Sequence, residues 1–168
     1  MPRRKHKKYT KPKRLYDKAR IEEENVLVKK YGLKSKREIW KADSAVKKMR
    51  KQAKLLLTKS TSEQEKFIDK LTKQGFNVGS IADILALNKE DYLKRRLQSV
   101  VAEKKLASTP KQARQFITHK HVTINGKKVN IPSYIVSTQE EEKIELILAK
   151  KEKPRKQDAI GELTEKNL

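Results

Sequence analysis

The sequence has no cysteine, five glycines, five prolines and few aromatic residues. Without cysteine the chain has no disulfide, no thiol nucleophile and no thiolate metal site. No apolar run approaches the ~20 residues of a membrane-spanning helix. Residues 2–20 are polar throughout, so no apolar segment of a secretory signal follows the basic start. We therefore expect a soluble intracellular protein.

Acidic residues are also scarce, because 21 Asp and Glu stand against 43 Lys and Arg and leave a net charge of +22. A charge of this size opposes compaction and attracts polyanions. Nucleic acid and an anionic membrane are the candidate partners. Ten of the basic residues lie in residues 1–20. Residues 1–14 have too little apolar surface for a core. A solvated tail is one interpretation, and the one we favour is a segment that orders along a phosphate backbone.

The chain lacks the common motifs of enzymes. It has no Walker-type phosphate loop, no G-x-G-x-x-G and no H-E-x-x-H. Its histidines are His6, His119 and His121, and two histidines with no carboxylate or thiolate nearby in sequence are weak evidence for a metal site. Hydrogen bonding to RNA or packing explains that pair better. We predict no catalytic residue, no metal and no cofactor.

The first half of the chain has the apolar spacing of helices. Residues 15–33 are predicted to form one helix that ends at Gly32. A longer helix is predicted from Ser35, with apolar residues every three or four positions and a capping box between Ser35 and Glu38. Its opposite face is basic and is predicted to contact phosphate through Lys47, Lys48, Arg50, Lys51 and Lys54.

Three shorter helices are predicted next. A capping box at Ser62 begins the first, and Gly75 closes it. Ser80 opens the second. Asn88 opens the third, which is predicted to continue to about residue 104.

The stretch 109–136 is predicted to form a helix followed by a hairpin. Thr109 is a good N-cap and Pro110 suits the first helical position, so a basic helix of about ten residues follows. Asn125-Gly126 predicts a tight turn, because both positions favour positive φ. The return strand is predicted at Val129 and Ile131, further strands at 134–136 and 144–148, and an acidic turn at 140–142.

These patterns predict an α+β fold, in which a helical N-terminal region packs on a small α/β module. The module comprises two helices followed by a short-stranded antiparallel sheet. The predicted divisions are a basic arm at 1–14, the helical region at 15–92, the module at 93–149 and a charged tail at 150–168. We expect the tail to be mobile or to order only on a partner.

Among polyanions, folded RNA fits the sequence best. A membrane-surface helix needs a wide apolar face, and the stripe of the helix at 36–57 is narrow. Single-strand binders display aromatic platforms, but only 5% of these residues are aromatic. A rigid helix and hairpin suit recognition of RNA by shape. DNA comes second, because no helix-turn-helix, zinc or zipper unit is recognisable.

The segment RRLQSVVAEKKLASTPKQARQFITHKHVTINGKKVNIPSYIV, residues 95–136, closely resembles the S-four RNA-binding domain. Within it, TPKQARQ, H-x-H, N-G and IPSY are similar to the version in the ribosomal protein family after which the domain is named. Upstream, KYGLKSKREIW and IADILALNKEDYLKRRLQ resemble the archaeal and eukaryotic-type form of that family. The resemblance covers roughly residues 10–148.

The resemblance implies a structural constituent of the small ribosomal subunit without catalytic activity. It implies direct binding of small-subunit ribosomal RNA at a multi-helix junction, early in assembly, and contact with neighbouring small-subunit proteins in the cytoplasm. No membrane or small-molecule substrate is implied. At matching positions it implies RNA contacts by Arg95, Arg96, Thr109, Lys111, Gln112, Arg114, Gln115, His119, Lys120, His121 and Lys127. Less specifically, the N-terminal helices imply contacts by Arg50, Lys51 and Lys54.

The chain departs from the family pattern at two places. Many relatives have Gly where Lys120 stands between the histidines. If that position needs positive φ, Lys120 adopts it at a cost of about 1 kcal/mol. Many relatives also have Gly-Leu-Ala-Arg-Thr where this chain has residues 105–109, so an expected arginine contact is missing at Ser108. No cysteine cluster is present, so zinc is not implied.

Two other functions share the same module. An RNA-modifying enzyme would use it for targeting, but it needs a catalytic domain for which these 168 residues leave no room. A free-standing RNA chaperone would not need the long N-terminal helices. Stoichiometric sedimentation with the small subunit separates these alternatives from a ribosomal constituent.

Overall fold

The computed structural model describes residues 7–147, which form eight helices and three short strands. A helical layer comes first: α1 Lys18–Tyr31, α2 Lys36–Leu56, α3 Thr61–Lys73, α4 Ile81–Ala86 and α5 Lys89–Lys94. The second part contains α6 Leu97–Glu103, α7 Pro110–Thr118, β1 Val122–Ile124, β2 Lys127–Lys128, α8 Thr138–Glu141 and β3 Ile144–Leu146. The predicted α+β class is confirmed. The first six residues of the predicted arm, with His6, and the whole predicted tail lie outside the described residues.

α1 begins later than predicted because Asp17 caps it, accepting a hydrogen bond from a backbone N–H of the first turn. Gly32 ends the helix as predicted, at φ +59. This left-handed conformation lets two backbone N–H groups bond back into the last turn. Leu27 is buried, whereas Leu15 and Val26 are 58% and 62% exposed.

α2 buries the apolar seam that its spacing predicts. The buried members are no more than 3% exposed: Ile39, Ala42, Val46 and Ala53. The predicted capping box is wrong, because Ser35 precedes the helix without a side-chain cap hydrogen bond. Glu38 accepts instead from the backbone N–H of Lys34 at 3.2 Å and otherwise faces two arginines of the second part.

The next helices begin close to their predicted positions. Ser60, and not Ser62, occupies the N-cap of α3, so the capping box predicted at Ser62 is wrong. Gly75 follows α3 at φ +79. α4 and α5 begin after Ser80 and Asn88 as predicted. In both, an aspartate three residues on accepts a hydrogen bond from the N-cap backbone N–H.

The single helix predicted for residues 88–104 is two helices in the structure. α6 begins at Leu97, and Arg96 before it is extended, with φ −73 and ψ 142. Arg96 pairs with Ile135 in an isolated antiparallel bridge. The segment 134–136 therefore forms this bridge in place of the predicted strand. The apolar spacing continues across residues 95 and 96, so the sequence pattern did not show that the helix is interrupted there.

The hairpin predicted at Asn125-Gly126 is present, with φ of +51 and +75. β1 lies in the centre of the sheet and is antiparallel to both β2 and β3. The return strand β2 lies at Lys127–Lys128, before the predicted Val129 and Ile131, and Ile131 is exposed. The acidic stretch 140–142 belongs to the short helix α8 and its end, and Ser137 caps that helix.

Three apolar clusters hold the described residues together. One joins α6, α7 and the sheet. A second joins α2 to α3 and α4, and a third joins α1 to α2. Leu93 belongs to the third, so the predicted division between residues 92 and 93 falls inside a helix that packs on the helical layer. Within residues 7–147, no helix is long and apolar enough to cross a lipid bilayer.

Candidate nucleic-acid interface

The N-terminus of α7 is built from the residues that the sequence singles out. Thr109 Oγ1 accepts a hydrogen bond from the backbone N–H of Gln112 at 3.2 Å. Gln112 Oε1 in turn accepts from the backbone N–H of Ser108 at 2.9 Å. Thr109 is exposed and Gln112 is half-buried. Both side chains therefore stabilise the first turn of α7, and they lie at the edge of its exposed surface.

A close backbone contact holds α7 against α1. A Cβ atom on Gly32 would lie 2.9 Å from the carbonyl carbon of Pro110. The buried Gln98 side chain supports this contact, because its Nε2 lies within 3.0 Å of the carbonyl oxygens of Tyr31, Gly32 and Pro110. Its Oε1 accepts from Arg114 Nη1 at 3.2 Å. The helical layer therefore sets the position of α7.

The outer face of α7 carries a polar row that we call the α7 stripe: Lys111, Gln115 and Thr118. Their spacing of four and three residues places them on one side of the helix, and all three are exposed. The Thr118 hydroxyl donates to the carbonyl of Arg114 at 3.0 Å. Lys111 and Gln115 present an ammonium and an amide group to solvent.

α7 ends in the turn His119-Lys120-His121. Lys120 has φ +63, so the expected positive φ is confirmed. Its N–H donates to the Ile117 carbonyl and that of His121 to the Phe116 carbonyl, which closes the helix end. The imidazoles stack at 6.3 Å between centroids, and His121 also packs edge-on against Phe116. Among the described residues, no three His, Cys, Asp or Glu are grouped to hold a metal.

The hairpin places another lysine at the surface. Lys127 pairs with Ile124 in the register of β1 and β2, and its side chain is exposed. Nothing lies within 4 Å of a Cβ atom built on Gly126, so the tip of the hairpin is open. The hairpin therefore offers a cation close to an uncrowded backbone.

Arg96 lies inside the protein and Arg95 is half-buried, and both are engaged by other parts of the protein. Arg96 is 4% exposed, and its Nη2 lies 2.5 Å from Glu38 Oε2. Arg95 Nη2 donates to the Val136 carbonyl at 3.0 Å and to Glu141 Oε2 at 2.9 Å. Both guanidinium groups join elements together. They do not extend the α7 stripe.

Glu38 connects α2 to the start of α6 and to α7 through two arginines. Arg114 binds it with both terminal nitrogens, at 3.1 and 3.2 Å. Burial raises the pKa of Glu38, but the hydrogen bonds and charges of Arg114 and Arg96 outweigh it, so the pKa lies below the ordinary value. The carboxylate is ionised at neutral pH. Arg114 remains partly exposed.

The three contacts on α2 that the family resemblance implies differ in their surroundings. Lys51 and Lys54 are exposed. Arg50 is half-buried, and its Nη2 donates to the carbonyl of Leu87. Arg50 therefore ties α2 to the end of α4, while the two lysines face solvent.

A basic row nearer the start of α2 did not stand out in the sequence. Arg37 and Lys41 line an open groove of about 740 Å³ together with Lys48, Arg96 and Arg114. A signal for this row existed, because residues 37, 41 and 48 are four and seven apart and so share a face. This spacing was hard to recognise in the sequence because α2 contains many other lysines.

Comparison with known proteins gives one domain and one set of relatives. Residues 95–142 match the family model described as S4 domain. The chain is similar to small ribosomal subunit protein uS4 of Methanosphaera stadtmanae, at 42% identity over 150 residues, covering 86% of this chain and 82% of that protein. The protein of that name in Methanospirillum hungatei is 45% identical over 154 residues, covering 85% of each. That of Methanococcus aeolicus is 39% identical over 170 residues, covering 95% and 96%.

Proposed function

The chain belongs to the family of small ribosomal subunit protein uS4, and on that premise we propose that it is a structural constituent of the small ribosomal subunit. It binds small-subunit ribosomal RNA directly, at a junction of several RNA helices, and nucleates early assembly of the subunit. Its role is to hold RNA in a defined shape, and it catalyses no reaction. The resemblance noted in the sequence is confirmed by these relatives.

The observation that supports RNA binding most strongly is the α7 stripe, which lies inside the matched domain. Ammonium groups bind phosphate by displacing counterions, without regard to sequence. Amide, hydroxyl and imidazole groups then fix the register of the RNA. The proposed contacts are the exposed members of the predicted set together with three half-buried residues of α7 and the turn after it. The exposed members are Thr109, Lys111, Gln115, His119, Lys120 and Lys127, with Lys51 and Lys54 on α2, and the half-buried residues are Gln112, Arg114 and His121.

We assign Arg95, Arg96 and Arg50 a different part in the same function. Their guanidinium groups are engaged with Glu141, Glu38 and a backbone carbonyl. A buried charge pair loses more on separation than a surface pair, so Arg95 and Arg96 are poorly placed to exchange their carboxylate partners for phosphate. They act as positioning residues that join α2 to the start of α6, α2 to the end of α4, and the end of α5 to α8.

The test is the salt dependence of binding to the protein's own small-subunit ribosomal RNA. Lys111→Ala removes one ammonium from the α7 stripe, and the slope of log affinity against log salt falls in magnitude by about 0.9. Lys66→Ala on α3 replaces another exposed lysine, which lies outside the matched domain, so it serves as the control and leaves the slope unchanged. An unchanged slope for Lys111→Ala would mean that the stripe does not face RNA.

The second candidate is a free-standing RNA chaperone with the same module. The long helices α1 and α2 are not required for that role, and here they are bound to the S4 domain through Gln98 on one side and through Arg96 and Arg114 on the other. A ribosomal constituent of the cytoplasm contacts neighbouring small-subunit proteins and sediments with the subunit at one copy each. Sub-stoichiometric sedimentation that rises under stress would favour the chaperone.

A further inference from the structure

We propose that the segment 9–17 is folded against α1 and α2 before any RNA binds, and that Glu24 and Arg20 are the positioning residues that hold it there. We call this segment the strap. The inference rests on the proposed function and adds to it the way in which the second half of the basic arm meets RNA. The strap presents its cations on a fixed backbone, whereas a disordered arm has to become ordered along the phosphates.

One end of the strap packs on α2. The ring of Tyr9 lies against Trp40, with 6.0 Å between centroids and 36° between the ring planes. The backbone N–H of Thr10 donates to Ser44 Oγ at 3.3 Å. Trp40 and Ser44 are four residues apart in α2 and therefore lie on the same face of that helix. An aromatic contact and a hydrogen bond from consecutive residues thus fix both the position and the direction of this end.

The other end of the strap is bound by one arginine of α1. Arg20 Nη2 donates to the carbonyl oxygens of Arg14 and Leu15, at 2.8 and 3.0 Å. A planar guanidinium group can bind these carbonyls and a carboxylate at the same time, which the ammonium group of a lysine does less well. Asp17 then leads the chain into the helix, because its side chain caps α1. The backbone before α1 is therefore held by the helix that it precedes.

Glu24 joins the two ends. Its Oε1 accepts from Arg20 Nη1 and from Trp40 Nε1, both at 2.9 Å. Glu24 is only 3% exposed, and Lys36 Nζ lies 3.6 Å from its Oε2. Separating a buried carboxylate from its partners is strongly destabilising, so these contacts resist opening more than the exposed ion pairs do. One oxygen atom thereby fixes both of the side chains that hold the strap.

The strap carries its charges on the outside. Lys11, Lys13 and Arg14 are exposed, whereas Tyr9 is half-buried. A segment that becomes ordered on binding loses chain entropy, and this loss lowers its affinity. A segment that is ordered beforehand avoids the loss. The strap therefore raises the affinity for RNA without adding a phosphate contact, and this separates its effect from that of charge.

Trypsin digestion of the free full-length protein tests whether the strap is ordered, because Lys13 and Arg14 are cleavage sites within it. We expect slow cleavage after both residues in the wild type. Glu24→Gln removes the charge that holds Arg20, and cleavage becomes at least about tenfold faster because local opening becomes easier. Glu22→Gln removes the same charge at an exposed position of α1 and leaves the rate unchanged.

A second set of variants leaves the contacts between α1 and α2 intact. Tyr9→Ala removes the ring that packs on Trp40, and Tyr9→Phe keeps it. Trp40 is the only tryptophan of the chain, so its fluorescence reports this contact. Tyr9→Ala shifts the emission to longer wavelength because the indole becomes more exposed, and Tyr9→Phe keeps the wild-type spectrum. Tyr16→Ala removes a ring of the strap that is 92% exposed and leaves the spectrum unchanged.

The affinity for the protein's own small-subunit ribosomal RNA tests the role of the strap. Glu24→Gln and Tyr9→Ala bind about tenfold more weakly than their controls Glu22→Gln and Tyr9→Phe, because the segment then has to become ordered on the RNA. The slope of log affinity against log salt stays the same, because no cation is removed. A variant that loses a phosphate contact lowers that slope instead.

Two results would overturn the inference alone. One is fast cleavage after Arg14 in the free wild-type protein that slows only when RNA is added, since RNA would then order the segment. The other is wild-type affinity in both Glu24→Gln and Tyr9→Ala. A wild-type protein with no preference for its own ribosomal RNA would overturn the proposed function and the RNA role of the strap together. The trypsin and fluorescence results are obtained without RNA, so they tell these failures apart.

Discussion

Two lysines end helices in the left-handed backbone conformation. Lys105 follows α6 at φ +57, and Lys120 follows α7 at φ +63. A Cβ atom makes this conformation unfavourable by about 1–2 kcal/mol, which glycine avoids. Both side chains are exposed within the matched S4 domain. Backbone strain and positive charge therefore coincide at these two positions.

Replacing Lys120 separates strain from charge. We expect Lys120→Gly to raise the free energy of unfolding by about 0.5–1 kcal/mol, because relief of the left-handed strain exceeds the extra chain entropy of glycine. Lys120→Ala removes the same charge but keeps the Cβ atom, so it gives no such gain. Urea unfolding measures both. Equal stabilisation by the two variants would assign the effect to charge repulsion.

The ion pairs of Glu38 make stability depend on pH. Because the pKa of Glu38 is lowered in the folded protein, its contribution is complete above the unfolded pKa, about 4.3. It is lost as the pH falls through the folded pKa. We expect Glu38→Gln to cost about 3 kcal/mol at pH 7, because two arginines lose their anion. The cost shrinks below about pH 4, where the wild-type carboxyl also takes up a proton.

Urea unfolding of both proteins between pH 7 and pH 3 tests this dependence, with the exposed Glu65→Gln as the control. A difference between wild type and Glu38→Gln that stays constant over the whole range would contradict the role of the ionised carboxylate.

At the scale of elements, the position of α7 depends on its contact with the end of α1. Gly32 has two roles there. It adopts φ +59, and because it has no Cβ atom, the backbone of Pro110 can pack directly against it. The side chain of Gln98 on α6 donates to the carbonyl oxygens of Tyr31, Gly32 and Pro110, and so joins the end of α1 to the start of α7. The surface that carries the α7 stripe is therefore oriented by a glycine 79 residues upstream of Lys111.

Gly32→Ala tests that contact. We expect a loss of about 2–4 kcal/mol in the free energy of unfolding, which combines left-handed strain with overpacking against Pro110. Gly126→Ala is the matched control, since it has φ +75 but open space around it, and loses only about 1–2 kcal/mol. Denaturant unfolding of both variants gives the comparison. Equal losses would mean that the close approach to Pro110 contributes nothing.

At the scale of the whole molecule, net charge opposes the packing that the apolar clusters provide. The chain carries +22 in 168 residues, and salt screens the repulsion between exposed charges. The exposed ion pairs, such as Lys47–Asp43 and Lys30–Glu90, contribute little to offset it. A bound polyanion would relieve the same repulsion, so assembly and stability are coupled.

We therefore expect the melting temperature of the free protein to rise by about 2–4 °C between 50 and 300 mM KCl. This is the shift that about 1 kcal/mol of screened repulsion gives in a protein of this size. Lys66→Glu/Lys70→Glu removes about four units of positive charge on α3 and gives a smaller rise. Calorimetry or circular dichroism measures both. A melting temperature that falls with salt would mean that attraction between charges dominates.

Much of the molecule follows from the sequence by itself, because the forces concerned are local. Thr109 with Pro110 and Asn125 with Gly126 start a helix and close a hairpin wherever they occur, and apolar spacing predicts α2. The charge of +22 indicates a polyanion. Ordered motifs across most of the chain identify the family. Each of these signals is contained within a few residues or in the composition.

Which charges face outward was decided only by the tertiary structure. Arg96 was expected at the surface. It is buried because it pairs with Glu38, which lies 58 residues away in the sequence. The break before α6 likewise depends on pairing with Ile135 in a distant segment. Arg37 and Lys41 remain at the surface and line the groove. A guanidinium group carries the same charge everywhere, and its exposure depends on which elements pack around it.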